Sequence, residues 1–327
     1  MIIDMHAHIL PQATLDELRG QRRRFPSVEL IEADGALRLA FAGGAPTRPI
    51  MPGLREDGRR RAFMAAQGLG LQLPGGWLDA FGYELPAEEG ADWSRFLNQG
   101  MIAAAAANPA LRPLATVPMQ DGRLSAAVLE EAAAAGMPGA MIGTQPKGGH
   151  GNLDDPALDP FWEAAAGLGV PIMVHPMFGS DDARLHDMGM MNAVGRVTDV
   201  TIAISRLLFS GHLLRFEGLK LIASTGGGAL PYMLGRLARN HAVENGKVAD
   251  PVEGLRRLWF DSIVFRPEAL RFLIDLVGVE RVMLGSDFPF PIGDPAPRAV
   301  IESAGYEEAA VERMLGGNAK ALFRLEP

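Results

Sequence analysis

Two histidines one residue apart close the first apolar run of the chain, Met1-Ile2-Ile3-Asp4-Met5-His6-Ala7-His8. In a β-strand, residues i and i+2 point to one face, so His6 and His8 emerge side by side where the run ends. Neutral imidazole is a favoured ligand for zinc and its first-row neighbours. Two later apolar runs end in the same kind of residue. Pro171-Ile172-Met173-Val174 leads into His175-Pro176, and Val282-Met283-Leu284-Gly285 into Ser286-Asp287-Phe288-Pro289. Singly, each has an ordinary use: unrelated surface histidines, a strand-end histidine bonded to backbone, an aspartate capping a turn. Together they place three imidazoles and one carboxylate at strand ends. That donor set, with a position left open, describes a catalytic metal site rather than a structural one.

The strands that must carry these residues form a series. Short runs rich in Val, Ile and Leu fall at residues 1–5, 68–73, 114–118, 139–143, 171–174, 219–223, 258–264 and 281–285. Most are almost continuously apolar, as expected of parallel strands covered on their outer face. Helix-length segments separate them, including 125–135, 159–168, which stops at Gly169, and 267–277, which opens with proline and stops at Gly278. The count predicts an α/β fold, a distorted (β/α)8 TIM barrel whose strand ends share one mouth. About residues 11–54 break the repeat with several Pro and Gly and the basic run Arg22–Arg24. This stretch reads as an insertion after the first strand that covers the barrel mouth, within a single domain over residues 1–327.

Composition narrows the chemistry. The chain is 48% hydrophobic and 21% charged, enough for a sizeable core. It has no cysteine, which excludes disulfides, thiolate metal sites and thiol nucleophiles, and leaves His, Asp and Glu as strong ligands. A net charge of −8 argues against nucleic acid or anionic membranes as partners. Without a basic-then-apolar leader or a long apolar span, the expected location is the cytoplasm.

Six segments in order carry a family resemblance. They are Ile3-Asp4-Met5-His6-Ala7-His8-Ile9-Leu10-Pro11, Pro118-Met119-Gln120-Asp121, Ile142-Gly143-Thr144, Val174-His175-Pro176, Gly226-Gly227-Gly228-Ala229 with Gly235-Arg236, and Leu284-Gly285-Ser286-Asp287-Phe288-Pro289-Phe290-Pro291. The chain resembles the amidohydrolase superfamily, in its aminocarboxymuconate semialdehyde decarboxylase branch. The resemblance implies one divalent metal, usually zinc, with Mn, Co or Fe as alternatives, held by His6, His8, His175 and Asp287. It implies a small carboxylate substrate bound by Arg48 and Arg236, the second supplied by the neighbouring subunit of a homodimer. Arg59, Arg60 and Arg61 read instead as an exposed helix face.

At one position the chain departs from that pattern. The sixth strand of the family ends in His-Gly-Gly-Gly, whereas here Thr225 precedes Gly226-Gly227-Gly228. Threonine has no pKa near 7 and is no ordinary general base, though its hydroxyl can donate or accept a hydrogen bond. Asp287 itself, or His150, His186, His212 or His241, could stand in. Three readings remain open. One is non-oxidative decarboxylation of an aromatic or unsaturated carboxylic acid. Another is metal-assisted hydrolysis or hydration of a lactone or ring-cleavage product. The third is a metal-binding homologue impaired in catalysis.

Overall fold

The computed structural model describes residues 1–146, 151–177 and 182–326. Among them are nine strands: β1 (Ile3–Ile9), β2 (Val28–Ala33), β3 (Ala36–Phe41), β4 (Leu71–Gly76), β5 (Ala140–Gly143), β6 (Pro171–His175), β7 (Lys220–Ala223), β8 (Trp259–Asp261) and β9 (Val282–Met283). β1 pairs in parallel with β4, and β5 to β9 form a parallel sheet in chain order. Bridges from Gln72 to Leu111 and from Ala115 to Ala140 join the two groups, and a bridge from Ala7 to Phe288 closes the ring. Eight staves result, as the spacing of apolar runs predicts.

Several boundaries differ from the sequence expectation, each for a local reason. The run at 114–118 is reduced to one isolated bridge, at Ala115, since Pro113 and Pro118 cannot donate to a ladder. The run at 68–73 starts three residues late, at Leu71, because Gly68 (φ 65°) ends the helix Asp57–Gln67 in the left-handed region. The run at 258–264 stops at Asp261, whose side chain takes the N–H of Ile263 at 3.2 Å and turns the chain. Helices Asp159–Leu168 and Pro267–Val277 have the expected limits. The helix expected at 125–135 begins earlier, at Gly122, because Asp121 caps it by accepting from the N–H groups of Arg123 and Leu124. No helix among the described residues is long and apolar enough to cross a membrane.

The segment between β1 and β4 holds the antiparallel hairpin β2–β3 and the short helices Gln12–Leu18 and Pro52–Arg55. Its apolar side packs on the helix Ala87–Ala107 through Phe25, whose ring lies 5.2 Å from those of both Trp93 and Phe96. Phe25 is fully buried, worth about 1.5–3 kcal/mol of transfer free energy. Arg22, Arg23 and Arg24 are exposed, as a solvated basic run should be.

Of the three arginines 59–61, only Arg59 and Arg61 lie on an exposed face; Arg60 is 1% exposed. Its guanidinium donates to the carbonyl of His8 and to Gln72 Oε1. Gln72 Nε2 donates in turn to Asp4 Oδ2 at 2.7 Å, which also accepts from Ser286 Oγ at 2.6 Å. Two buried charges and two buried polar side chains thus knit β1, β4 and the turn after β9. Removing one partner from such a network leaves the others uncompensated. Arg60→Met should therefore cost about 3–5 kcal/mol in urea unfolding, against roughly 0.5 kcal/mol for exposed Arg59→Met. Equal costs for the two would contradict the network.

Candidate metal centre

β1 delivers two of the four residues, and it does so through an irregularity. Its register with β4 slips between Asp4 and Ala7, a bulge centred on Met5 and His6. Bulges re-aim side chains beside functional sites. Here His6 and His8 stand with ring centroids 5.4 Å apart and planes at 69°. β6 ends at His175, whose ring lies 4.9 Å from that of His6 and 4.7 Å from that of His8. The turn after β9 supplies Asp287, fixed by its N–H donating to the carbonyl of His6 at 2.8 Å. Asp287 sits at φ 58°, which costs an aspartate less than most residues and is the kind of backbone that persists at functional sites.

All four are buried, with one donor atom from each lying within 4.8 Å of the others. Asp287 Oδ1 is 3.0 Å from His8 Nε2, 3.7 Å from His6 Nε2 and 3.9 Å from His175 Nε2. Ligands about 2.1 Å from one ion lie roughly 3–4 Å apart, so the spacing fits a shared cation. The opposite ring nitrogens are anchored. His6 Nδ1 meets Asp261 Oδ2 at 2.6 Å, His8 Nδ1 the Gly76 carbonyl at 3.1 Å, and His175 Nδ1 the Pro176 carbonyl at 2.9 Å. A proton on each Nδ1 leaves each Nε2 lone pair for a metal. His6 Nε2 is buried without a hydrogen-bond partner, as a donor atom waiting for an ion would be.

For His8 and His175 the electrostatics agree with this assignment. Burial pushes the pKa of His175 down to about 3 and that of His8 below its ordinary value, against the pull of Asp287. Both rings are neutral at physiological pH and able to ligate. Burial also opposes protonation of His6, but the hydrogen bond and charge of Asp261 outweigh it and raise its pKa. Burial disfavours ionisation of Asp287, yet its bonds to His175 and His8 hold it well below the usual carboxylate range.

The cluster opens on a cavity of about 390 Å³. His175, Asp287 and Thr225 line it together with Arg196 and apolar residues that include Val264 and Ile292. Thr225 is held at φ 52°, a strained conformation for a β-branched residue. Its N–H donates to Asp261 Oδ2 at 2.8 Å and its hydroxyl to the Ser224 carbonyl at 2.7 Å. The other expected residues stand elsewhere. Arg48 is tied to Asp79 by two bonds of 2.8 and 2.9 Å, its side chain 43% exposed. Arg236 is on the exposed face of the helix Leu230–Glu244. His186 is exposed, His241 bonds the Val248 carbonyl at 3.0 Å, and His212 packs in the core against Trp162 and Phe216. His150 lies outside the described residues.

Two residues of this region escape sequence reading. Asp261 sits inside an expected strand and gives no motif. Arg196 opens a helix whose basic first residue looks like any exposed one.

A parallel eight-stave barrel with a buried three-histidine, one-aspartate cluster at its strand ends defines a class, the barrel metalloenzymes. Comparison with known proteins then makes the family plain. The amidohydrolase family profile matches residues 3–325, and the chain belongs to that family. It is 34% identical over 257 residues to the 2-amino-3-carboxymuconate-6-semialdehyde decarboxylase of Dictyostelium discoideum, covering 76% of this chain and 70% of that relative. Its fold matches the crystal structure of 5-carboxyvanillate decarboxylase from Sphingomonas paucimobilis with a TM-score of 0.82, at 28% identity over 99% of each chain. A dihydroxybenzoic acid decarboxylase from a Polaromonas species, crystallised with manganese and 2-nitroresorcinol, shares the fold at a TM-score of 0.78 and 22% identity, covering 99% of this chain and 97% of that one.

If Asp261 orients His6, Asp261→Asn should weaken metal binding about 10–100-fold while leaving the circular dichroism spectrum unchanged. Titration against a competing chelator measures this, and an unchanged affinity would remove Asp261 from the site.

Proposed function

We propose that the chain is a metal-dependent, non-oxidative decarboxylase of an aromatic or unsaturated carboxylic acid. One observation carries the reading: the His6, His8, His175 and Asp287 cluster opens on a largely apolar cavity that a small planar acid would fill. Similarity to decarboxylases of muconate and hydroxybenzoate acids supports it. His6, His8, His175 and Asp287 are the proposed ligands of one divalent ion. Three nitrogens and one oxygen suit zinc, and the manganese of the Polaromonas protein makes that ion the first alternative. A bound divalent cation supplies Lewis acidity, drawing electron density from a substrate oxygen.

The rest falls to the chain itself. Apolar walls exclude water and hold the substrate plane. Loss of CO2 breaks one carbon–carbon bond and leaves its electron pair on carbon, where a proton replaces the carboxyl group. No oxidant is consumed. Asp287 is the acidic side chain that belongs to the cluster and lines the cavity, so it is the proposed group that passes this proton. Thr225 neither gains nor loses a proton near neutral pH and serves as a hydrogen-bonding wall. Arg48 and Arg236 remain the proposed carboxylate contacts, with Arg236 exposed as a residue serving the other half of a homodimer must be.

Protein reconstituted with one metal at a time and given a panel of hydroxybenzoates and lactones in 18O-water separates the chemistries. The expected result is CO2 release in step with substrate loss, with no 18O in the organic product, and its abolition by chelation. Entry of 18O without CO2 would overturn decarboxylation in favour of hydrolysis or hydration.

Thr225→His should be accepted by the backbone, since histidine tolerates φ near 52° better than threonine. It should raise turnover by as much as about 10²–10⁴-fold if a proton carrier is what the site lacks. No gain, in a variant that still binds metal, would indicate chemistry that does not use that carrier.

A further inference from the structure

Away from the four clustered residues the cavity changes character. Among the described residues, the exposed ones that line it are Asn192, Ala193, Phe265, Ala269 and Ile292, of which only Asn192 is polar. Phe265 is 50% exposed and Ile292 45%. Large apolar side chains left open at the mouth of a cavity mark a surface that a ligand or partner covers. Phe265 is also held at φ 59°, a backbone conformation that a bulky residue rarely adopts. The turn around it enforces this. Ile263 N–H donates to Asp261 Oδ1 at 3.2 Å, Val264 N–H to the Ser262 carbonyl at 2.8 Å and Arg266 N–H to the Val264 carbonyl at 2.8 Å. Asp261 also meets His6 Nδ1 at 2.6 Å, so the turn is anchored on the metal cluster. Strain of this kind persists where function uses it, and glycine would adopt the same φ without it.

What covers the rim follows from the decarboxylase reading above, on which this step rests. The acid end of the substrate belongs at the cluster, so the remainder of the molecule extends toward the rim. The cavity, about 390 Å³, falls in the range that buries drug-sized ligands, roughly 300–1,000 Å³. A planar acid that fills it is therefore larger than a bare hydroxybenzoate. The additional part must be apolar, because a polar group set against Phe265 and Ile292 would lose its water without replacement. We infer that the substrate carries an apolar substituent of several carbons, seated against Val264, Phe265 and Ile292, with its carboxyl end at His6, His8, His175 and Asp287. The substituent then closes the cavity mouth and keeps bulk water from the cluster.

Calorimetry on the metal-loaded protein tests this with salicylate against its 4-, 5- and 6-butyl derivatives. Each buried methylene is worth roughly a factor of four, so one isomer should bind about 10- to 100-fold more tightly than salicylate, in competition with it. Phe265→Gly should reduce that preference about tenfold. The same variant should unfold at no lower urea concentration than the wild type, since glycine relieves the strain, whereas a merely structural phenylalanine would lower it. Ile292→Asn should also reduce the preference, even if the glycine variant does not fold. Phe272→Ala, exposed on the helix that carries Ala269 but off the cavity, should keep it. Absence of a preferred isomer, equal gains for all three, or a preference unaltered in folded rim variants would overturn the inference. So would a second copy of the chain as the occupant, seen in sedimentation as a dimer that Phe265→Gly weakens while the preference stays intact. CO2 release judges the underlying reading separately. A preference that depends on the rim, without CO2 release, sinks decarboxylation and leaves the apolar slot. Release from salicylate with a kcat/KM equal to that of every butyl isomer sinks the substituent and leaves decarboxylation.

Discussion

Three imidazole lone pairs and a carboxylate aimed at one buried point repel one another unless a cation lies between them. That constraint organises this end of the barrel. Each imidazole has its outer nitrogen pinned, to Asp261, the Gly76 carbonyl or the Pro176 carbonyl, so the rings cannot rotate away. The cluster is rigid before any ion arrives, and binding need not first order its ligands.

The fold beneath it serves the same end. The strand carrying His6 and His8 is also where the ring closes, through Met5 N–H to the Leu284 carbonyl at 2.9 Å and His8 N–H to the Phe288 carbonyl at 2.7 Å. Asp4, two residues before the first ligand, accepts from the N–H of Ser286, the residue before the last ligand, at 3.0 Å. Barrel closure and ligand placement are therefore one set of hydrogen bonds. The buried carboxylate of Asp4 has its pKa raised by burial, against the bonds from Ser286 and Gln72. Metal site and barrel seam should fail together when that layer is damaged.

Much of this was legible in the chain because strand ends are where a barrel keeps its chemistry. His6, His8, His175 and Asp287 each follow an apolar run, and the eight runs have the right spacing. Periodicity cannot show where a carboxylate is buried by tertiary contacts. Asp261 was hidden in a run that reads as continuous strand, and Arg60 in a triplet that reads as exposed. Arg196 is buried at a helix start, beside His175 and Asp287 on the cavity wall, where its own sequence gives no sign of it. Arg48 lies between β1 and β4, and its engagement with Asp79 depends on the turn after β4, more than thirty residues further along. Local pattern records which face of an element is apolar; it does not record which distant charge that face will meet.

Thr225 gives the cluster its particular character. The four proposed ligands stand together while the strand end beside them carries the Thr225 hydroxyl, so the proposed mechanism separates ligation from proton transfer. The central claim concerns ligation, and the most direct measurement is X-ray absorption at the edge of a metal bound in equimolar amount. The account predicts three imidazole nitrogens and carboxylate oxygen at about 2.0–2.2 Å, with one imidazole lost in His175→Ala. A spectrum without imidazole scattering, or one unchanged in that variant, would contradict it.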